Sequence, residues 1–168
     1  MELIHNEGEM RITIILLVLL FPGLLLADQL HGIINGKAYH FDRSRNFNEK
    51  NWGLGFEYNF EPRGSWIPLL TGSSFKDSKN QTSNYLGGGT KKRFMLGSGE
   101  TGLHIDVGIV GFVMTRKDYR GDRPFLGALP FISVGNEYVA VNATYIPRIS
   151  PKYASLLYFQ LMIKVAEF

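Results

Sequence analysis

The chain has 168 residues, of which 45% are hydrophobic and 13% aromatic. This length and composition suit one compact domain, and the chain is too short for two. It contains no cysteine, which excludes both a disulfide framework and a thiolate metal site. The formal net charge is +3.

The first 27 residues predict a secretory signal peptide. Residues 12–26 form a largely apolar run that follows an arginine, with cleavage expected before Asp28. The run is short for a transmembrane helix, and its proline and glycine favour export over a retained anchor or a buried helix. Because acidic residues precede Met10 where a signal should be positive, we expect translation to start at Met10. The predicted domains are a signal peptide at 1–27 and one domain at 28–168.

Cleavage makes the exported chain more basic. Removing residues 1–27 takes away one arginine and three glutamates, which leaves 17 basic and 12 acidic residues and a net charge of +5. A basic exported protein is suited to anionic surfaces.

The exported part alternates between apolar and polar residues over several long segments. In residues 52–60 the even positions are Trp, Leu, Phe, Tyr and Phe, and the odd ones are Gly, Gly, Glu and Asn. The same period of two returns at 103–109, 138–145 and 157–165. Such a period is typical of β-strands with one oily face. Turn residues then separate eight predicted strands, at about 31–40, 52–61, 65–76, 83–95, 101–114, 125–135, 137–147 and 154–166.

These strands predict an all-β fold, an eight-stranded antiparallel transmembrane β-barrel. Side chains mostly fill the interior of a barrel this narrow, so we expect no pore. A soluble lipocalin-like barrel has the same period with its oily faces turned inward, and alternation does not separate the two. Abundant glycine and aromatic residues near strand ends favour the membrane barrel: Trp52, Trp66, Tyr145, Tyr153 and Phe168.

Four blocks of sequence resemble the PagP-type lipid A palmitoyltransferases. They are Asn48-Glu49 with Trp52-Gly53, Phe75-Lys76-Asp77-Ser78, LPFISVG at 129–135 and TYIP at 144–147. The resemblance implies an outer-membrane barrel of a Gram-negative bacterium that moves a palmitoyl chain from a phospholipid to lipid A. It implies no metal and no cofactor. The expected partners are the phospholipid donor, the lipid A acceptor and the outer membrane, with a monomeric chain and no nucleic acid.

The resemblance also implies catalytic residues at the extracellular rim. Asp77 and Ser78 match the family's Asp-Ser pair, whereas an ungapped comparison puts Ile34 at the position of its histidine. If the first extracellular loop is shorter by about six residues, Tyr39-His40 matches the family's aromatic–histidine pair. His40 is therefore the predicted base, and His31 is the reserve. Ser78 is then a nucleophile or a polar stabiliser, and Asp77 a group that could orient His40.

Three further positions are implied to contact or admit the lipids. Gly89 falls where the family has the glycine that limits acyl length, although relief of crowding explains a glycine there equally well. Pro130 and Pro147 match prolines at the family's lateral opening. Since proline cannot donate to a strand ladder, the barrel wall can part there. Asn51 departs from the family, which has a proline at that position.

Two basic segments have less specific interpretations. Lys91 begins a basic run at 91–93, for which we expect solvation or snorkelling. Arg116 is the first of several basic residues in a predicted extracellular loop, where phosphate groups of lipid A would be met.

We compared three functions. A lipid A acyltransferase is the prediction, and a non-catalytic barrel of the same fold, with a structural or ligand-binding role, is the alternative. A lipid A deacylase is disfavoured because its His-x-Ser pattern does not occur in the sequence.

Overall fold

The computed structural model describes residues 28–42, 44–96, 102–148 and 154–168; the predicted signal peptide, residues 1–27, and Tyr153 lie outside them. A short 3-10 turn, Arg120–Asp122, precedes the sixth strand. Each strand overlaps its predicted segment, with ends that differ by at most three residues. The strands are β1 (Gln29–His40), β2 (Lys50–Asn59), β3 (Trp66–Lys76), β4 (Thr82–Met95), β5 (His104–Arg116), β6 (Phe125–Gly135), β7 (Val139–Ile146) and β8 (Leu156–Glu167).

The eight strands form one closed antiparallel barrel. Each strand pairs with its neighbour in the chain, and β1 pairs with β8 to close the sheet. This confirms the predicted fold class. We call the end where β1 connects to β2 and β3 connects to β4 the loop end, and the opposite end, where β2 connects to β3, the turn end. Within the described ranges, no helix has the length and apolar character needed to cross a bilayer.

The oily faces of the alternating strands point outward. On β2, Trp52 is 65% exposed and Leu54 57%, whereas Glu57 on the opposite face is 2% exposed. The same holds across the barrel, where Leu126 on β6 is 84% exposed and Val165 on β8 is 66% exposed. A lipocalin-like barrel requires the reverse orientation, so these exposures exclude it and fit a barrel surrounded by lipid.

Aromatic side chains occupy outward positions at both ends. At the loop end, the Phe41 ring lies edge-on to Tyr39 and Tyr145, with centroid distances of 5.6 and 6.3 Å. At the turn end, the Lys92 ammonium lies 5.9 Å from the Trp66 ring centroid. Two such belts are typical of the two membrane interfaces.

A buried ionic network fills the lumen near the turn end. The Lys91 ammonium lies 2.7 Å from the Glu57 carboxylate and 3.5 Å from that of Asp106, and all three side chains are at most 3% exposed. Arg93 donates two hydrogen bonds of 2.8 and 2.9 Å to Asp106. His104 also faces this lumen. The expectation that Lys91 is solvated or snorkels is therefore wrong, because the β4 alternation turns it inward.

Candidate active site

His40 and Ser78 meet at the loop end of the lumen. His40 is the last residue of β1 and Ser78 follows β3, and these two strands flank β2 in the barrel. The Nε2 atom of His40 lies 2.8 Å from the Ser78 hydroxyl oxygen. His40 is 2% exposed, and its ring stacks on Phe47 with a centroid distance of 4.5 Å. The imidazole is thus held where it can exchange a proton with Ser78.

A bulge in β1 turns His40 toward the lumen. Ile33 and Asn35 face inward before the bulge, and strict alternation from them would point His40 at lipid. The pairing of β1 with β2 and with β8 shifts register after Asn35, so Ala38 and His40 face inward instead. Bulges commonly re-aim side chains at functional sites in this way.

The loop before β2 is fixed to the segment that carries Ser78. The backbone N–H of Asn48 donates to the carbonyl oxygen of Ser78 at 2.9 Å, and its side-chain amide donates to the carbonyl oxygen of Asp77 at 3.0 Å. The Asn48 amide oxygen accepts from the Lys50 N–H at 3.1 Å. Asn48 thereby sets the position of Ser78 relative to the imidazole.

Asp77 shapes the turn after β3. Its carboxylate, which is 2% exposed, accepts hydrogen bonds of 2.8 to 3.0 Å from the backbone N–H groups of Lys79 and Gln81 and from the Ser83 hydroxyl. Among the described residues, the hydrogen-bonding partners of the Asp77 carboxylate do not include His40. Asp77 therefore holds the turn that presents Ser78, and its participation in catalysis stays a prediction.

A different carboxylate lies beside the imidazole. The Oε1 atom of Glu49 lies 3.8 Å from Nδ1 of His40 and accepts a hydrogen bond of 3.3 Å from the His40 backbone N–H. In the sequence, Glu49 stands out only as part of the block Asn48-Glu49 that resembles the family. Sequence spacing does not indicate that Glu49 lies beside His40, because the fold of the loop after β1 brings the two residues together.

An apolar cavity opens directly beside His40 and Ser78. This outer cavity has a volume of about 400 Å³. A second, inner cavity of about 100 Å³ lies deeper in the lumen and shares several of its walls. The apolar residues that line both cavities are Phe75, Phe112, Met114, Leu129, Ile146 and Tyr158. His40 and Ser78 thus face a space suited to a hydrocarbon chain.

A cluster of polar residues lies beside the inner cavity. The Asn35 amide oxygen accepts hydrogen bonds from the Tyr158 hydroxyl at 2.7 Å and from the Gln160 amide at 2.9 Å. Gln160 also donates to the Tyr85 hydroxyl at 3.3 Å, and Asn35 donates to Ser73 at 2.5 Å. Tyr85, Tyr158 and Gln160 of this cluster line the inner cavity, so part of its wall is polar.

The reserve histidine lies far from this pair. His31 is near the turn end of β1, is 7% exposed, and has its Nδ1 atom 3.2 Å from the Asn59 amide. The structure therefore brings His40, and not His31, to Ser78.

Arg116 is engaged by carboxylates at the loop end. Its guanidinium donates two hydrogen bonds of 3.1 Å to Asp118 and lies 3.8 Å from the Asp77 carboxylate. Arg116 and Asp118 both line the outer cavity. A contact between Arg116 and a lipid phosphate stays a prediction.

The ladder between β6 and β7 stops short of the loop end. It runs from Phe131 opposite Thr144 to Gly135 opposite Ala140, and Pro130 is the next residue on β6. Residues 125–130 continue past this point, paired with β5. Pro147 directly follows β7 and lines the outer cavity. The barrel wall beside that cavity is therefore weakly joined.

The wall beside β2 is joined more firmly. Asn51, which is 2% exposed, donates a hydrogen bond of 2.7 Å from its side chain to the Lys76 carbonyl oxygen on β3. A proline, the family's residue there, could not make this contact.

The chain is similar to proteins of one family. A family model described as "Antimicrobial peptide resistance and lipid A acylation protein PagP" matches residues 30–161. The lipid A acyltransferase PagP of Methylobacillus flagellatus is 32% identical over 111 residues, which are 66% of this chain and 58% of that protein. The protein of the same name from Bordetella pertussis is 32% identical over 114 residues, 67% of this chain and 60% of that one. The chain thus spans less than two thirds of these relatives.

A solved structure of an outer membrane protein was also matched. The Yersinia pestis outer membrane protein Ail, in a phospholipid bilayer nanodisc, gives a TM-score of 0.42 at 9% identity, over 82% of this chain and 99% of that one.

Proposed function

Because the chain belongs to the PagP family of lipid A acylation proteins, we propose that it is an acyltransferase that moves a palmitoyl chain from a phospholipid to lipid A. The chain is a protein of the bacterial outer membrane. The contact between His40 and Ser78 at the mouth of an apolar cavity carries this proposal, because it joins a base, a hydroxyl and a site for an alkyl chain.

His40 accepts the proton that acyl transfer releases. Its Nε2 atom draws the proton from the Ser78 hydroxyl, which either attacks the donor ester itself or takes the proton of the attacking lipid A hydroxyl. The ester bond of the phospholipid breaks, and His40 returns the proton to the departing oxygen. A lysophospholipid leaves, and the palmitoyl carbonyl carbon ends in a new ester with lipid A. If Ser78 attacks, the lipid A hydroxyl then cleaves the acyl-serine ester, and its proton passes through His40 to the Ser78 oxygen. An added palmitoyl mass on the protein distinguishes attack by Ser78 from a relay through it.

The direct test uses the exported chain, residues 28–168, refolded in detergent with a palmitoyl phospholipid and lipid A. Mass spectrometry of the lipids is expected to show lipid A that has gained one palmitoyl group, together with lysophospholipid. A donor with an ether in place of the ester, and the unfolded chain, are expected to yield neither. If the refolded chain also yields neither, the non-catalytic barrel is the better account.

The short ladder between β6 and β7 supports the gap beside Pro130 and Pro147 as the route by which the donor enters the outer cavity. In the variant Pro130→Ala/Pro147→Ala, both positions regain a backbone donor. One added ladder hydrogen bond is worth about 1 kcal/mol, which lowers the open population about fivefold. We expect a similar decrease in the initial rate of transfer, measured at a fixed donor concentration.

Pro68→Ala is the matched control, because Pro68 lies on β3, which is paired with β4 at this point. Its rate is expected to equal that of the wild type. Equal rates for all three proteins would contradict a lipid route between β6 and β7.

Gly89 gives a prediction about acyl length. Its partner on β5, Val110, lines the inner cavity, and a Cβ at Gly89 would collide with the Ile109 carbonyl oxygen. Gly89→Met therefore displaces the β4–β5 wall of that cavity, and we expect the transferred chain to shorten. Product lipids from a mixture of donors with different chain lengths, resolved by mass, measure the change.

Gly88→Met is the control. Gly88 is exposed on the outer face, and a Cβ there meets no atom closer than 3.4 Å. Its acyl preference is expected to match the wild type. If Gly89→Met folds and keeps the wild-type preference, Gly89 serves only to relieve crowding.

A further inference from the structure

We infer that Glu49 is the positioning residue for His40 in the proposed acyl transfer, a role that rests on the proposed function. Its carboxylate lies beside the imidazole, with Oε1 3.8 Å from Nδ1, at the ring nitrogen that does not contact Ser78. The same oxygen accepts a hydrogen bond from the His40 backbone N–H. Ser78, His40 and Glu49 therefore stand in the order of hydroxyl, base and carboxylate.

This order matters when the proton moves. When Nε2 takes a proton from Ser78, a positive charge spreads over the imidazole ring and reaches Nδ1. The Glu49 carboxylate then lies where it stabilises that charge, and it favours the ring orientation that keeps Nε2 on Ser78. Phe47 stacks on the ring face at 4.5 Å and restricts the same rotation.

The loop that carries Glu49 is fixed well enough to hold this geometry. Glu49 follows Asn48, which donates hydrogen bonds to the backbone carbonyl oxygens of both Asp77 and Ser78. The Glu49 carbonyl oxygen accepts a hydrogen bond of 3.0 Å from the Ala38 N–H. The pair Asn48-Glu49 thus connects the segment that carries Ser78 with the strand that carries His40.

The other charged groups around this mouth have different partners or positions. Hydrogen bonds from the Ser44 side chain and backbone lower the pKa of Asp42, and this carboxylate lies 3.6 Å from the Arg45 guanidinium. Arg116 pairs with Asp118. The charged residues that line the mouth besides Glu49 are Asp42, Arg45, Lys50, Asp77, Lys79, Arg116 and Asp118.

The test compares Glu49→Gln and Glu49→Asp with the wild type in the lipid assay, with kcat and KM measured as functions of pH. Glu49→Gln is expected to lower kcat about 10- to 100-fold, the range seen when the carboxylate partner of a metal-bound histidine is lost, with little change in KM. His40 stops acting as a base once it is protonated, and without the carboxylate it is protonated less readily. The acid limb of the kcat profile is therefore expected to move to lower pH.

Glu49→Asp keeps the charge and is expected to recover part of kcat together with the wild-type acid limb. Glu61→Gln is the matched control, since Glu61 is exposed at the turn end, and it is expected to behave as the wild type. Wild-type kcat with an unmoved acid limb in Glu49→Gln would overturn the inference.

A second measurement separates this inference from the proposed function. The His40 ring of each refolded protein is titrated by NMR in micelles, which requires no turnover. A lower midpoint in Glu49→Gln than in Glu49→Asp and the wild type supports the inference, and equal midpoints overturn it. Absence of product from the wild type, in contrast, overturns the proposed function and leaves the titration to decide the contact. If Glu49→Gln does not fold, equal midpoints for Glu49→Asp and Glu49→Ala overturn the inference.

Discussion

Replacing His40 with alanine is expected to lower kcat for acyl transfer about 10²- to 10⁴-fold, the usual contribution of a general base. The imidazole has its Nε2 atom 2.8 Å from the Ser78 hydroxyl, and no other described histidine lies near this serine. Alanine leaves the backbone bulge in β1 intact and removes the proton acceptor. The measurement is the initial rate of lipid A palmitoylation by refolded protein, at a donor concentration well above KM.

Two further variants make this prediction specific. Ser78→Ala removes the other partner of the contact and is expected to cause a loss of similar size, and combining it with His40→Ala should add little because the two act as a unit. His31→Ala is expected to keep most of the activity, since His31 lies at the turn end. If His31→Ala is inactive and His40→Ala is active, the site has been assigned to the wrong histidine. Circular dichroism of each variant checks that the barrel has formed.

The strands could be predicted because the period of two and the turn residues agree along most of the chain. β6 has its predicted ends, 125 and 135, since Pro124 precedes it and its last residue, Gly135, is followed by Asn136 in a turn. β5 begins three residues later than predicted, at His104. Gly102 has a left-handed backbone with φ of 59°, which does not fit an extended strand, so the strand begins after it. Alternation does not reveal which face lies inside, and only the closed barrel shows that the oily face is outside.

The site was harder to predict, for reasons that lie in its geometry. The blocks placed Ser78 at the rim, and the structure puts it beside His40. Strict alternation would have turned His40 outward, and the bulge after Asn35 that reverses this has no unique sequence pattern. Asp77 stays a predicted orienting group for His40, and its own contacts close the turn that presents Ser78. Glu49 reaches His40 only through the fold of a loop, which periodicity does not describe.

Lys91→Met is expected to reduce the free energy of unfolding by about 3 to 5 kcal/mol, the usual result of removing one partner of a buried ion pair. Lys91 lies 2.7 Å from Glu57, and both side chains are at most 3% exposed. Without the ammonium, the Glu57 carboxylate loses its partner in a site that water barely reaches. Asp106 is less affected, because Arg93 still donates two hydrogen bonds to it. Urea unfolding of the refolded barrel in detergent, followed by tryptophan fluorescence, gives the difference.

The neighbouring lysine supplies the matched control for this loss. Lys92→Met makes the same chemical change on the outer face, where the ammonium lies 5.9 Å from the Trp66 ring centroid and 5.4 Å from that of Phe94. Cation–π contacts of this kind are worth about 0.5 to 1 kcal/mol at exposed sites, so the expected loss in the free energy of unfolding is smaller. In the double variant Lys91→Met/Glu57→Gln no unpaired charge remains, so we expect it to unfold at a higher urea concentration than Lys91→Met alone. Equal losses for Lys91→Met and Lys92→Met would mean that water reaches the Lys91–Glu57 pair. A double variant no more stable than Lys91→Met would mean that packing of the lysine stem, and not its charge, holds this part of the lumen together.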